Sequence, residues 1–200
     1  MKVVVIGGHS RNIGKTSVMA ALIGASRTLD WTAVKITQYG HGICSLDGEP
    51  CGCAPRHHPF EITEEKNSAG RSDTCRFLAA GARQSLWLRV RQGQLTSAYP
   101  SLEHALAGSQ YVIMESNSIL GLIEPDLYLF VLDGSRVDFK PSARQFLARA
   151  DALVPIGPGK PRRSWPGLQL SGLESKPAFP VVPPSYSSPE LSQFVLEKLA

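Results

Sequence analysis

A glycine-rich turn between an apolar run and a helical pattern constrains the fold of this chain more than any other feature. The run from Val3 to Ile6 is made of β-branched residues, which is typical of a strand buried on both faces. The turn spans residues 8–14, and residues 16–25 carry apolar side chains near helical spacing. A second short strand is predicted over residues 32–37. Strand, loop, helix and strand in this order form a βαβ unit, which indicates a parallel sheet.

The turn ends in Gly14-Lys15-Thr16, a pattern typical of loops that bind phosphate groups. Backbone N–H groups of such a turn converge on an anion, while the lysine reaches the β- and γ-phosphates and the threonine hydroxyl binds Mg²⁺. The sequence therefore predicts ATP or GTP as ligand, together with Mg²⁺. Five residues separate Gly8 from Gly14, one more than in the standard motif, so the usual first position falls on His9. The predicted nucleotide contacts are His9, Ser10, Arg11, Asn12, Ile13, Gly14, Lys15, Thr16 and Ser17.

A nucleotide site also needs a carboxylate near the metal, and two strand ends supply candidates. Glu115 directly follows the apolar run 111–114, and Asp133 follows the run 127–132. In a parallel sheet these strand ends lie on the same side as the phosphate loop. We take Glu115 as the first choice for a Mg²⁺-organising and catalytic carboxylate, with Thr16 as the other metal ligand and Asp133 as the alternative. The chain has no Asn-Lys-x-Asp segment after a late strand, so nothing in it indicates guanine recognition.

The remaining pattern predicts one α/β domain over residues 1–200, with three layers and a mostly parallel twisted sheet. Residues 38–71 show no period and are predicted to be an irregular, lid-like insertion over the phosphate site. Residues 157–178 are predicted to be an irregular proline-rich segment. The further predicted strands are 86–90, 111–114, 127–132, 152–156 and an edge strand at 179–182. The further predicted helices are 73–81, 102–107, 142–150 and a last helix capped by Ser188 with Pro189 in its first position.

The predicted insertion carries most of the cysteines and histidines of the chain. Cys44, Cys51 and Cys53 lie there with His41, His57 and His58, and Cys75 follows in the next helix. Thiolates and imidazoles gathered in one segment can enclose a zinc ion, so Cys44, Cys51, Cys53 and Cys75 are candidate ligands. The Cys51-x-Cys53 gap is tighter than the usual zinc spacing, and four reduced thiols are the alternative interpretation.

Composition excludes several classes of function. The net charge of +4 is mild, and the basic residues form no run, so no nucleic-acid partner is expected. No apolar stretch approaches the length of a membrane span, and we expect no membrane partner. The first residues lead directly into the first strand without a secretory signal, which favours a cytoplasmic location.

Several segments resemble the molybdopterin-guanine dinucleotide biosynthesis adapter protein (MobB) family of P-loop NTPases. They are Gly8-His9-Ser10 with Gly14-Lys15-Thr16, Val34-Lys35-Ile36-Thr37, residues 70–76 with 79–82, and Met114-Glu115, where Ser116 replaces the family's glycine. The resemblance covers roughly residues 3–135. It implies nucleotide binding with slow hydrolysis, an adapter role with a molybdenum cofactor biosynthesis protein as partner, and a homodimer, since such relatives often dimerise.

The phosphate loop and the second strand also resemble those of a second family, dethiobiotin synthetase. It shares the five-residue spacing of the phosphate loop and a segment similar to Lys35-Ile36-Thr37-Gln38-Tyr39-Gly40. The family's glycine-rich segment after the fourth strand is replaced here by Ser116-Asn117-Ser118-Ile119. This resemblance implies an ATP-dependent ligase or small-molecule kinase in which Lys35 is catalytic. A module that binds nucleotide without catalysis is the third alternative.

Overall fold

The computed structural model describes residues 1–40, 58–157, 165 and 172–200. Its centre is a seven-stranded sheet with helices on both faces, so the predicted layered α/β fold is confirmed. The strands, in chain order, are β1 (Lys2–Gly8), β2 (Thr32–Tyr39), β3 (Phe60–Glu64), β4 (Gln84–Arg91), β5 (Tyr111–Glu115), β6 (Leu127–Asp133) and β7 (Ala152–Ile156).

The strand order across the sheet is β3-β4-β2-β5-β1-β6-β7. All neighbours are parallel except β3, which pairs antiparallel with β4 at one edge. β1 lies between β5 and β6, and its alternate residues enter the cores on opposite faces. Val3 and Val5 pack on one side, and Val4 and Ile6 pack on the other. This double burial accounts for the unbroken apolar run seen in the sequence.

The helices cover both faces of the sheet. Residues of α1, α2 and α5 enter one core and residues of α3 and α4 the other. The sequence left the cap of α2 open between Ser72 and Asp73, and Ser72 takes it by accepting a hydrogen bond from the Cys75 backbone N–H. Ser188 caps α5 in the same way, as predicted. The helices are α1 (Lys15–Ala25), α2 (Asp73–Ala80), α3 (Leu95–Ala105), α4 (Pro141–Phe146) and α5 (Pro189–Leu199). Short 3₁₀ segments occur at Arg27–Leu29, Ser118–Gly121 and Leu147–Arg149.

Three sequence expectations were wrong in detail. The segment 38–71 is not irregular throughout, because β3 forms within it by pairing with β4. Helix α3 begins at Leu95 and continues through Pro100, since Leu95, Ala98 and Leu102 are buried on one face. In place of an edge strand at 179–182, the structure has single bridges from Ala178 to Leu153 and from Val181 to Ile156.

None of the helices in the described part of the chain is both long and apolar enough to cross a membrane.

Candidate functional site

The loop between β1 and α1 adopts a conformation that only particular residues allow. Gly14 has φ of 92° and Asn12 has φ of 53°, both in the left-handed region. The ring of Tyr186 packs on Gly14 so closely that a Cβ there would lie 2.6 Å from the ring. Gly14 is therefore required both by the backbone and by the neighbouring aromatic ring.

Lys15 is the first residue of α1, and its side chain turns back over the loop. Its Nζ donates a hydrogen bond to the backbone carbonyl of Ser10 at 2.7 Å. Burial lowers the pKa of Lys15 despite the nearby Glu115 carboxylate. The ammonium group is thus held at the loop that the sequence predicts to bind phosphate.

A buried network of charges lies beside the loop and contains both predicted magnesium ligands. Glu115 is 5% exposed and accepts a hydrogen bond from the Thr16 hydroxyl at 2.7 Å. Lys35 lies in register with Glu115 across the β2–β5 pair, and its Nζ contacts the Glu115 carboxylate at 2.7 Å. The same ammonium group contacts Asp73 at 2.8 Å. The network brings together three residues that the sequence predicted and adds Asp73, which it did not.

The opposite charges in this network each stabilise the ionised form of the other. Burial alone would raise the pKa of Glu115, but Lys35, Lys15 and the Thr16 hydrogen bond hold it below its ordinary value. Burial alone would lower the pKa of Lys35, but Glu115 and Asp73 hold it above its ordinary value. Glu115 and Lys35 are therefore ionised at neutral pH.

Asn117 fixes the start of the phosphate loop. Its side-chain oxygen accepts a hydrogen bond from the backbone N–H of Gly8, and its side-chain amide donates one to the Gly8 carbonyl, both at 2.9 Å. This contact depends on the register that places Ile6 of β1 opposite Glu115 of β5. Sequence reasoning missed Asn117, because only the strand pairing brings the residue after the strand end to Gly8.

The side chain of His9 joins the phosphate loop to the segment after β6. Its Nε2 accepts a hydrogen bond from the backbone N–H of Asp133 at 3.0 Å, so Nδ1 carries the proton and donates to the Asp138 carbonyl at 2.8 Å. The ring is fully buried and lies near Phe139 and Trp165. Burial lowers the pKa of His9. The imidazole is therefore held by hydrogen bonds within the protein, and the predicted nucleotide contact of His9 stays a prediction.

Two other candidates also bond to neighbouring segments. The Ser10 hydroxyl donates to the Asp138 carboxylate. The Asp133 carboxylate accepts hydrogen bonds from the backbone and the hydroxyl of Ser135, at 2.8 and 2.6 Å, in the turn after β6. This contact gives Asp133 a turn-stabilising role in the structure, which favours Glu115 as the carboxylate of the site.

A cavity of about 990 Å³ opens over the loop, at the upper end of the range for small-molecule sites. Asp73, Arg76, Lys140 and Tyr186 line it without having been predicted. The predicted residues that line it are Arg11, Asn12, Ile13, Gly14, Lys15, Thr16, Ser17, Lys35 and Glu115. Arg76 of α2 also donates a hydrogen bond to the Ser17 hydroxyl at 2.8 Å. Most of the predicted nucleotide contacts therefore share one cavity with the charged network.

The predicted zinc ligands Cys44, Cys51 and Cys53 lie outside the described residues, as do residues 41–57 of the predicted lid. Cys75 is buried, and its thiol donates to the Glu65 carboxylate at 3.1 Å. Among the residues that the structure describes, no group of three or more metal-binding side chains occurs.

The loop after β1, the helix that follows it and the mostly parallel sheet define a P-loop NTPase fold. Two proteins of known structure, LpxK and HypB, share this architecture. LpxK from Aquifex aeolicus, solved in an "apo" form with ATP, superposes with a TM-score of 0.51 at 17% identity over 90% of this chain and 53% of its own. HypB from Helicobacter pylori, solved with nickel, gives a TM-score of 0.50 at 14% identity over 98% of this chain and 86% of its own.

This chain thus spans about half the length of LpxK. At these identities the likeness shows the fold alone. No protein-family model and no curated protein sequence matches the chain.

Proposed function

We propose that this protein binds ATP or GTP with Mg²⁺ in the cavity over the P-loop and hydrolyses it slowly. The observation that carries the proposal is the convergence of Lys15, Thr16 and Glu115 at one loop, in a fold shared with P-loop NTPases. Lys15 supplies positive charge for the β- and γ-phosphates, and the loop supplies backbone donors.

The residues present fit a magnesium ion. A hydroxyl and an ionised carboxylate meet at Thr16 and Glu115, and Mg²⁺ prefers such oxygen donors. When bound, the ion would neutralise charge on the phosphates. Glu115 would hold the ion or its water, while Lys35 keeps that carboxylate ionised.

We further propose a role for this nucleotide binding within the cell. The resemblance to the MobB family supports an adapter role in molybdenum cofactor biosynthesis, with a cytoplasmic location and a homodimer. Light scattering tests the homodimer. Binding to purified molybdenum cofactor biosynthesis proteins, in the presence and absence of nucleotide, tests the adapter role.

The second candidate is an ATP-dependent ligase or small-molecule kinase. The cavity favours it in one respect, because Lys35 lines the cavity and lies between Glu115 and Asp73, close to the loop where phosphate groups would bind. In that reaction the lysine would act on a phosphorylated intermediate.

Turnover measurements separate the two candidates. We expect slow release of phosphate from ATP or GTP alone, with Mg²⁺ present, and loss of this release in the Lys15→Ala variant. Phosphate release that requires an added small carboxylate or amine acceptor would support the ligase or kinase instead. Absence of nucleotide binding by calorimetry would overturn both candidates.

A further inference from the structure

Three lysines line the phosphate cavity, and the third of them, Lys140, has no assigned role. Lys140 lies immediately before α4 and borders the same cavity as Lys15. Within the described part of the chain, its ammonium group makes no hydrogen bond or ion pair. The charges that act on it most strongly are those of Lys15, Arg11, Glu115 and Lys35. The same cavity is also bordered by further charged residues, which are Arg71, Arg76, Asp73 and Asp138. Cations thus outnumber carboxylates around a half-buried lysine.

The backbone of Lys140 is attached to the phosphate loop. Its N–H donates to the His9 carbonyl at 2.8 Å. Two residues earlier, the Asp138 carbonyl accepts from His9 and the Asp138 carboxylate accepts from Ser10. These bonds hold Lys140 at a fixed place relative to Lys15, as a ligand-binding side chain requires.

The electrostatic environment of Lys140 favours an anionic ligand. Burial, followed by Lys15 and Arg11, lowers the pKa of Lys140 to about 7. A polyanion in the cavity would offset the repulsion from the neighbouring cations and favour the charged ammonium group.

We propose that Lys140 is a second phosphate-binding lysine, which contacts the terminal phosphate of a nucleoside triphosphate held at Lys15. The assignment to the terminal phosphate follows from its neighbours. Glu115 and Lys35, whose charges act on Lys140, belong to the network around the candidate magnesium ligands. In nucleotide sites of this kind the metal ion lies against the β- and γ-phosphates, so a lysine beside that network is placed for the terminal phosphate. The proposal rests on the proposed nucleotide binding, and it adds a residue that discriminates triphosphate from diphosphate.

Binding then includes the uptake of a proton. At pH 8, above the pKa of about 7, Lys140 is mostly neutral in the free protein and becomes charged against the phosphate. An arginine at position 140 stays charged throughout, so the difference between wild type and Lys140→Arg isolates the proton of Lys140.

The experiment is isothermal titration calorimetry of the full chain with ATP and with ADP, each with Mg²⁺. Wild type is compared with Lys140→Gln, Lys140→Arg and the control Lys66→Gln, which removes an exposed lysine that pairs with Glu64 on the edge strand β3. Titrations at pH 8 in buffers of different ionisation enthalpy give the number of protons taken up. Thermal unfolding of each variant verifies that it is folded.

We expect Lys140→Gln to weaken ATP binding roughly ten- to hundredfold and ADP binding much less, since a charged contact to one phosphate is lost. Lys140→Arg should retain the preference for ATP over ADP but take up fewer protons than wild type. Lys66→Gln should match wild type in nucleotide preference and in proton uptake.

Equal weakening of ATP and ADP, or equal proton uptake in wild type and Lys140→Arg, would overturn the role of Lys140. Failure of wild type to bind either nucleotide would overturn the proposed function itself.

Discussion

Replacement of Gly14 by alanine should destabilise the protein more than its backbone conformation alone explains. At φ of 92° an alanine costs about 1–2 kcal/mol, because its Cβ is unfavourable in the left-handed region. The new Cβ would also lie 2.6 Å from the Tyr186 ring. Overpacking of this kind adds about 1–3 kcal/mol. The total expected loss in the free energy of unfolding is therefore about 2–5 kcal/mol.

Gly108 provides the matched control. Its φ is 86°, close to that of Gly14, but an added Cβ there would meet no atom within 4 Å. Gly108→Ala should therefore show the backbone cost alone. Urea denaturation of both variants measures the difference, and the double variant Gly14→Ala/Tyr186→Ala should recover part of the loss. If the two single variants lose the same free energy, the ring of Tyr186 moves freely and does not constrain the loop.

The remaining predictions concern charge and metal. Lys15→Ala should abolish or gravely weaken nucleotide binding, and a calorimetric affinity within about twofold of wild type would contradict the loop assignment. Glu115→Gln should bind nucleotide but hydrolyse it more slowly, as a phosphate-release assay would show. Unchanged turnover would mean that Asp133 or another residue is the catalytic carboxylate. Because burial lowers the pKa of His9 below its ordinary value of 6.5, the unfolded state binds more protons than the folded state as the pH falls through 6.5. Stability should therefore decrease below that pH, and less so in His9→Gln. Elemental analysis of untagged protein tests zinc at Cys51 and Cys53, where less than about a tenth of an equivalent with freely reacting thiols would exclude it.

The parts of the fold that follow from local patterns were predictable from the sequence. The apolar runs at β1, β5 and β6 and the capping residues Ser72 and Ser188 each carry their own signal. β3 was missed because its residues are only partly buried at an edge, where pairing with β4 rather than an apolar run defines the strand. The extent of α3 was missed because Pro100 interrupts a pattern that tertiary burial nevertheless sustains.

The site was predictable where one segment supplies the chemistry, as in Gly14-Lys15-Thr16, and where a carboxylate ends an apolar strand, as at Glu115. The residues that were missed come from distant segments. Asp73 reaches Lys35 from the first turn of α2, and Lys140 borders the cavity because bonds to the loop hold its backbone there. Such contacts depend on strand register and on packing between distant elements. The periodicity of apolar residues along the sequence carries no information on either.

The position of Lys35 limits what its mutation can reveal about the reaction. Glu115 is almost fully buried, and a buried carboxylate without a partner is strongly destabilising. Lys35 supplies that partner, so its removal would raise the pKa of Glu115 and perturb the candidate magnesium ligand at the same time. Loss of turnover in a Lys35 variant is therefore expected for an adapter NTPase as well as for a ligase. Only turnover that depends on an acceptor in the wild-type protein distinguishes the two, because that measurement leaves the Lys35–Glu115 pair intact.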